Sequence, residues 1–248
     1  MHLDKNMLQS SIILFGEIHG TNESPAFFFD YICQLEPTYD IINVFLEIPS
    51  SYQGDIDHYM QTKSSIESDY SLIRKKFWNK KNQDGRTSIS NLQLLRNLKH
   101  LNHTKKINVF PVAPSREQLK SDLSRTEIMF SNIVNKLEPN AHNQISLALL
   151  GRNHVVKRVR HTREKSLKDL FSSSGLSYAA LLIKHSGGKV WNCIPDKVTV
   201  MKCGEITRNP DGFNGNNIGA IEFNPTNRVG HFYVGEISSS PPAVTLLR

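Results

Sequence analysis

Short apolar runs separated by amphipathic stretches constrain this chain most. Residues 12–15, 42–46, 107–112 and 145–150 are each four to six residues long and rich in Ile, Val, Leu and Phe. Strands buried on both faces read as continuous apolar runs of this kind. Between the first two runs, Ser24-Pro25 is a helix-start signal. Phe28, Ile32 and Leu35 then share one face, and Pro37 stops the helix. Strand, helix, strand is a βαβ unit, and the crossover needs a parallel sheet.

The rest of the chain extends this pattern. Residues 51–82 are polar and charged, and they read as helix in pieces. Asp84-Gly85 marks a turn. Leu92, Leu95, Leu98 and Leu101 recur at helical spacing. Ser115 with Gln118 reads as a capping box. A stripe follows it at Leu119, Leu123, Phe130, Ile133, Val134 and Leu137. Leu167, Leu170 and Phe171 suggest a helix ended by Gly175. Residues 178–183 and 189–193 read as strands joined through Gly187-Gly188, a hairpin-like signal. Residues 204–219 read as an Asn- and Gly-rich loop, and 220–223 and 231–237 as late strands. The expected architecture is a single α/β domain over residues 1–248. It has a mostly parallel central sheet, helices on both faces and a β-rich C-terminal addition. Residues 51–105 are a mainly helical insertion or lid.

Two of the apolar runs end in the same signature. Gly16-Glu17-Ile18-His19 follows the first, and Gly151-Arg152-Asn153-His154 follows the fourth. The second run ends on Glu47. In open α/β sheets, ligands bind beyond the carboxyl ends of the strands. These termini would therefore bring two histidines and two glutamates together. Glu17 and His19, two apart in extended chain, project to one side. Glu17, His19 and His154 form an ordinary ligand set for a divalent metal, which would polarise a carbonyl and acidify a bound water. The same groups also suit metal-free hydrolysis. His19 would be general base or ligand, Glu17 and Glu47 would orient it, and His154 would stabilise the oxyanion. Around them, Asp84, Arg86, Arg152 and Asn153 are candidate substrate contacts, with Arg86 and Arg152 facing a substrate anion.

The segment Leu14-Phe15-Gly16-Glu17-Ile18-His19-Gly20, followed by Glu23 and Pro25, resembles the opening of the erythromycin esterase/ChaN-like superfamily. That group also includes the Tiki and TraB-type proteins, with paired Gly-x-x-His motifs and an intervening glutamate; Glu17, His19, Glu47 and His154 match that pattern. Further stretches are similar to one largely uncharacterised bacterial branch. They are Phe77-Trp78, Gln83-Asp84-Gly85-Arg86-Thr87-Ser88, Val190-Trp191-Asn192-Cys193, Phe232-Tyr233-Val234-Gly235 and Ser239-Ser240-Pro241-Pro242. That branch usually carries Gly-Asn-x-His as its second motif; here Arg152 adds a cation. The resemblance implies a hydrolase of esterase or metallopeptidase type. It also implies an alternative, a non-catalytic haem- or metal-binding protein. A divalent metal, haem or no cofactor at all is compatible with it.

Charge and cysteine content bear on partners and compartment. The 248 residues carry a formal charge of +7, which favours an anionic substrate, small molecule or peptide. Basic runs lie at Arg74-Lys75-Lys76 with Lys80-Lys81, and at Arg152, Lys157, Arg158, Arg160, His161, Arg163 and Lys165. With Phe77 and Trp78 interleaved, the first could bind nucleic acid by charge and stacking, although such runs are more often solvated helix faces. No apolar run approaches the ~18 residues of a membrane span. The N-terminal run is too short for a signal peptide, so a cytoplasmic protein is expected; secretion without a cleaved leader leaves no mark in a sequence. Cys33, Cys193 and Cys203 are odd in number and lack a C-x-x-C, so free thiols are expected rather than disulfides or a zinc site. The seven histidines outside the signatures and the basic runs, His185 among them, read as surface or core residues.

Overall fold

The computed structural model describes residues 4–63, 65–138, 142–157, 164–196, 200–211 and 218–247. Its strands are β1 (Ile12–Glu17), β2 (Ile41–Pro49), β3 (Lys106–Ala113), β4 (Gln144–Gly151), β5 (Tyr178–Lys184), β6 (Gly188–Asp196), β7 (Val200–Arg208), β8 (Ile221–Asn224) and β9 (Val229–Tyr233). Its helices are α1 (Lys5–Leu8), α2 (Glu23–Leu35), α3 (Gln53–Gln61), α4 (Ile66–Ile73), α5 (Ile89–Leu101), α6 (Arg125–Val134), α7 (Arg152–Val155) and α8 (Leu167–Ser174). Seven strands form one sheet in the order β3-β2-β4-β1-β5-β9-β8. All its pairings are parallel except the edge pair β8–β9. Strands β6 and β7 form a separate antiparallel pair.

Alternation along the strands builds two cores. Ile13 and Phe15 of β1 join Val44, Leu46 and Leu147 under α2, α3, α4 and α5. Ile12 and Leu14 point the other way and join Phe45 and Ala148 under α6 and α8. Every residue of β1 is buried, as a central strand covered on both faces requires. The expected architecture is therefore present, with helices on both faces and extra antiparallel strands toward the C-terminus. No described helix is long and apolar enough to cross a membrane.

Several local expectations are corrected. The cap of α2 is Asn22, not Ser24, whose hydroxyl instead accepts from Thr21. Ser115 and Gln118 do exchange hydrogen bonds, but they frame only a single 3-10 turn. Helix α6 starts ten residues later on a second capping box, Ser124 with Glu127, so Leu119 and Leu123 lie outside it and are exposed. β6 pairs with β7 rather than with β5, so residues 204–208 are strand, not loop. Phe77 and Trp78 are buried and offer no stacking surface. Arg158, Arg160, His161 and Arg163 lie outside the described residues.

The expectation of free thiols fails for two of the three cysteines. Cys193 and Cys203 face each other across β6 and β7 and are joined in a disulfide, while Cys33 is free and exposed. Disulfides persist in oxidising compartments, so this bond removes one ground for expecting a cytoplasmic protein. The hairpin it ties is anchored beside the strand ends. Trp191 donates from its backbone N–H to the Gly20 carbonyl (2.9 Å), and its indole Nε1 donates to the Gln83 carbonyl (3.0 Å). Gly20 has φ of +77°, and a Cβ there would collide with the Trp191 carbonyl.

A cross-strand disulfide closing so short a loop stabilises by about 2–3 kcal/mol through loop entropy. The double substitution Cys193→Ser with Cys203→Ser should lower the urea-unfolding free energy by about that amount. Reductant should do the same to the wild type. Thiol titration of the denatured, unreduced chain should count one cysteine; a count of three would refute the bond.

Candidate active site

The sheet order sets β2, β4 and β1 side by side. Their carboxyl ends carry Glu47, the Gly151–His154 turn, and Glu17 with His19. The four residues singled out from spacing thus converge. Glu47 is their hub and is buried. Its Oε2 accepts from the Gly151 backbone N–H (2.8 Å) and lies 3.2 Å from His19 Nε2. Its Oε1 lies 3.5 Å from Arg86 Nη1 and 3.9 Å from His154 Nε2. The other nitrogen of His19, Nδ1, lies 2.8 Å from Glu17 Oε1. A Cβ on Gly151 would come within 2.8 Å of His19 Nε2 and 3.2 Å of Glu47 Oε2, so the glycine makes room for the contact itself.

The two histidines sit in opposite fields. Burial alone would lower the His19 pKa, but Glu47 and then Glu17 overcome it and raise it from 6.5 to about 10. His19 is therefore a cation at neutral pH. His154 is pulled down: burial disfavours its charge, Glu47 opposes this only in part, and His19, Arg125 and Arg86 add repulsion. It stays neutral. Burial would raise the Glu47 pKa, but His19, then His154 and Arg86, hold it well below the carboxylate range. His154 Nδ1 is fixed at 2.8 Å from Thr126 Oγ1, which leaves Nε2 toward Glu47 and the cavity.

The four substrate-contact candidates all line the cavity, and three of them are paired within the protein. Arg86 grips Asp84 through Nε (3.1 and 3.2 Å) and Nη2 (2.5 Å) and reaches Glu47 with Nη1. Lys80 also pairs with Asp84 at 3.2 Å. Burial would raise the Asp84 carboxyl, but Arg86, Lys80 and His19 hold it far down. Arg152 is tied to Asp211 at 3.0 Å. Both arginines expected to meet a substrate anion are thus neutralised by protein carboxylates. Asn153 is exposed on the cavity wall.

The cavity over this cluster measures about 870 Å³. Besides the expected residues, its walls include Arg125, His185, Arg208 and Asp211, none of which spacing marked. Thr126 went unmarked too, although Ser124 and Glu127 beside it form the Ser-x-x-Glu pattern that locates the helix start. Buried His185 accepts from the Gly187 N–H through Nδ1 (3.2 Å). Behind the cluster, Glu17 and Trp78 line a second cavity of about 20 Å³. Among the described residues, Glu17 Oε2 and Trp78 Nε1 are buried without a hydrogen-bond partner, and that volume suffices for one bridging water.

A metal fits this donor set poorly. Among the described residues, no three His, Cys, Asp or Glu side chains are arranged to hold an ion. Both nitrogens of His19 already face carboxylates.

No family model matches the chain, and no curated protein matches its sequence. Solved structures do match in fold. A histidine-to-asparagine mutant of the erythromycin esterase EreC, in its open conformation, superposes with a TM-score of 0.58 at 10% identity, over 84% of this chain and 78% of that one. A protein from Bacillus cereus gives 0.56 at 10% identity, over 96% and 91%. The haem-binding ChaN of Campylobacter jejuni gives a looser 0.45 at 14% identity, over 71% and 82%. At these identities the likeness is one of fold alone, shared with the esterase EreC and the Bacillus cereus protein.

The pKa shifts fix how stability depends on pH. His19 is raised, so its contribution is complete below pH 6.5 and is lost as pH rises through about 10. Glu47 and Asp84 are depressed, so theirs is complete above their ordinary values of 4.5 and 3.8 and is lost on acidification. His154 is depressed, so stability also falls as pH drops below 6.5, and urea unfolding should show maximal stability near pH 6.5. Glu47→Gln should cost on the order of 3 kcal/mol there and flatten the alkaline decline; an unchanged decline would contradict the pairing.

Proposed function

We propose that this chain hydrolyses an ester or amide bond of a small-molecule substrate without a metal. One observation carries the reading: two histidines share one buried carboxylate, one held charged and the other held neutral, at the wall of one large cavity. The cavity volume lies in the range of small-molecule sites.

The base is His154, not His19. A histidine held protonated between Glu17 and Glu47 has no lone pair to offer. His154 is neutral, and its Nδ1 lies 2.8 Å from Thr126 Oγ1; in the tautomer that donates Nδ1–H to this hydroxyl, Nε2 presents a free lone pair. Its Nε2 would take a proton from water while the water oxygen attacks the carbonyl carbon. Glu47, 3.9 Å away, offsets the imidazolium that forms. The positive charge of His19 offsets the growing charge on the carbonyl oxygen. The tetrahedral adduct then collapses, the bond to the leaving group breaks, and His154 returns its proton to the departing oxygen or nitrogen. The fold shared with an esterase is consistent with this chemistry, although fold alone does not set a reaction.

The purified protein, assayed on 4-nitrophenyl acetate and a panel of longer esters and anilides, should turn over at least one of them. His154→Ala should lower kcat by about 10²–10⁴-fold, with a thermal midpoint near that of the wild type. kcat/KM should rise as His154 deprotonates below pH 6.5 and fall as His19 loses its proton about pH 10. Full activity in His154→Ala would end this reading.

A further inference from the structure

The cavity contains a charge imbalance that its own residues do not resolve. Four carboxylates line it, and each is engaged: Glu17 by His19, Glu47 by His19 and Arg86, Asp84 by Arg86 and Lys80, and Asp211 by Arg152 and Lys184. Two further arginines, Arg125 and Arg208, line the same cavity and are exposed to it. Among the described residues, neither guanidinium has a hydrogen-bond or ion-pair partner. Arg125 is placed with respect to the proposed base. It is the first residue of α6, and the next residue, Thr126, holds His154 Nδ1. Arg125 is also an electrostatic neighbour of Lys80, so this wall is positive beside the reaction centre. Arg208 ends β7, on the disulfide-tied hairpin that forms another wall.

We propose that the substrate carries an oxyanionic group, a carboxylate or a phosphate, which Arg125 binds beside His154 while Arg208 contributes positive charge from the hairpin wall. The inference rests on the hydrolase reading for the word substrate, whereas the anion site stands on the two arginines alone. It moves anion recognition away from Arg86 and Arg152, whose charges are consumed within the protein. A guanidinium is suited to this task, because its fork of donors matches two oxyanion oxygens at once.

Isothermal titration calorimetry with inorganic phosphate and, separately, with succinate tests the site independently of turnover. Either anion should bind the wild type, and comparison of the two shows which is preferred. Arg125→Gln should weaken binding about tenfold or more, Arg208→Gln should weaken it less, and Arg125→Lys should recover part of the loss. In parallel, the ratio of kcat/KM for mono-4-nitrophenyl succinate over 4-nitrophenyl acetate should exceed one and should fall in Arg125→Gln. Failure of both anions to bind, or equal binding by wild type and Arg125→Gln, would overturn the anion site whether or not esters are cleaved. Arg125-dependent anion binding without any hydrolysis would leave the site standing and overturn the hydrolase reading instead.

Discussion

The contact between Glu47 and its four neighbours organises the cavity end of this molecule. A buried carboxylate is costly unless it is paired and hydrogen-bonded. Here Oε2 takes the Gly151 N–H and faces His19, while Oε1 faces Arg86 and His154. Each partner comes from a different segment: the ends of β1 and β4, the turn after β4, and the loop before α5. The parallel sheet makes this possible, because the β2-β4-β1 order brings three strand ends to one edge. Removing the carboxylate would leave His19 with Glu17 alone and Arg86 with Asp84 alone, each half-buried cation short of one partner.

From this one contact follows the difference between the two Gly-x-x-His copies. The first copy contains its own carboxylate, Glu17, so His19 lies between two negative groups and keeps its proton. The second copy has Arg152 in the corresponding place. His154 consequently meets one carboxylate at a longer distance, with three cations in electrostatic range. Two copies of one Gly-x-x-His pattern thus hold their histidines in opposite protonation states.

The sheet and its site were readable where local pattern decides the outcome. Buried parallel strands leave continuous apolar runs, and strand ends are where a glycine followed by polar residues can open a site, so Glu17, His19, Glu47 and His154 could be found together. Where distant register decides, the pattern gave the wrong answer. Cys193 and Cys203 meet because β6 pairs with β7, a register that the Gly187-Gly188 signal obscured by suggesting a partner in β5. The reach of Arg86 to Glu47 and the pairing of Arg152 with Asp211 exist only in the fold. Thr126 and Arg125 reach the site because α6 begins at Ser124, and the competing Ser115–Gln118 pattern placed that start one turn system too early.

The most direct measurement is an NMR titration of the two imidazoles, with His19→Gln and His154→Gln variants to assign the resonances. The account predicts that His19 titrates about pH 10 and that His154 titrates below 6.5. Both rings titrating near 6.5, or His154 as the more basic of the two, would contradict it.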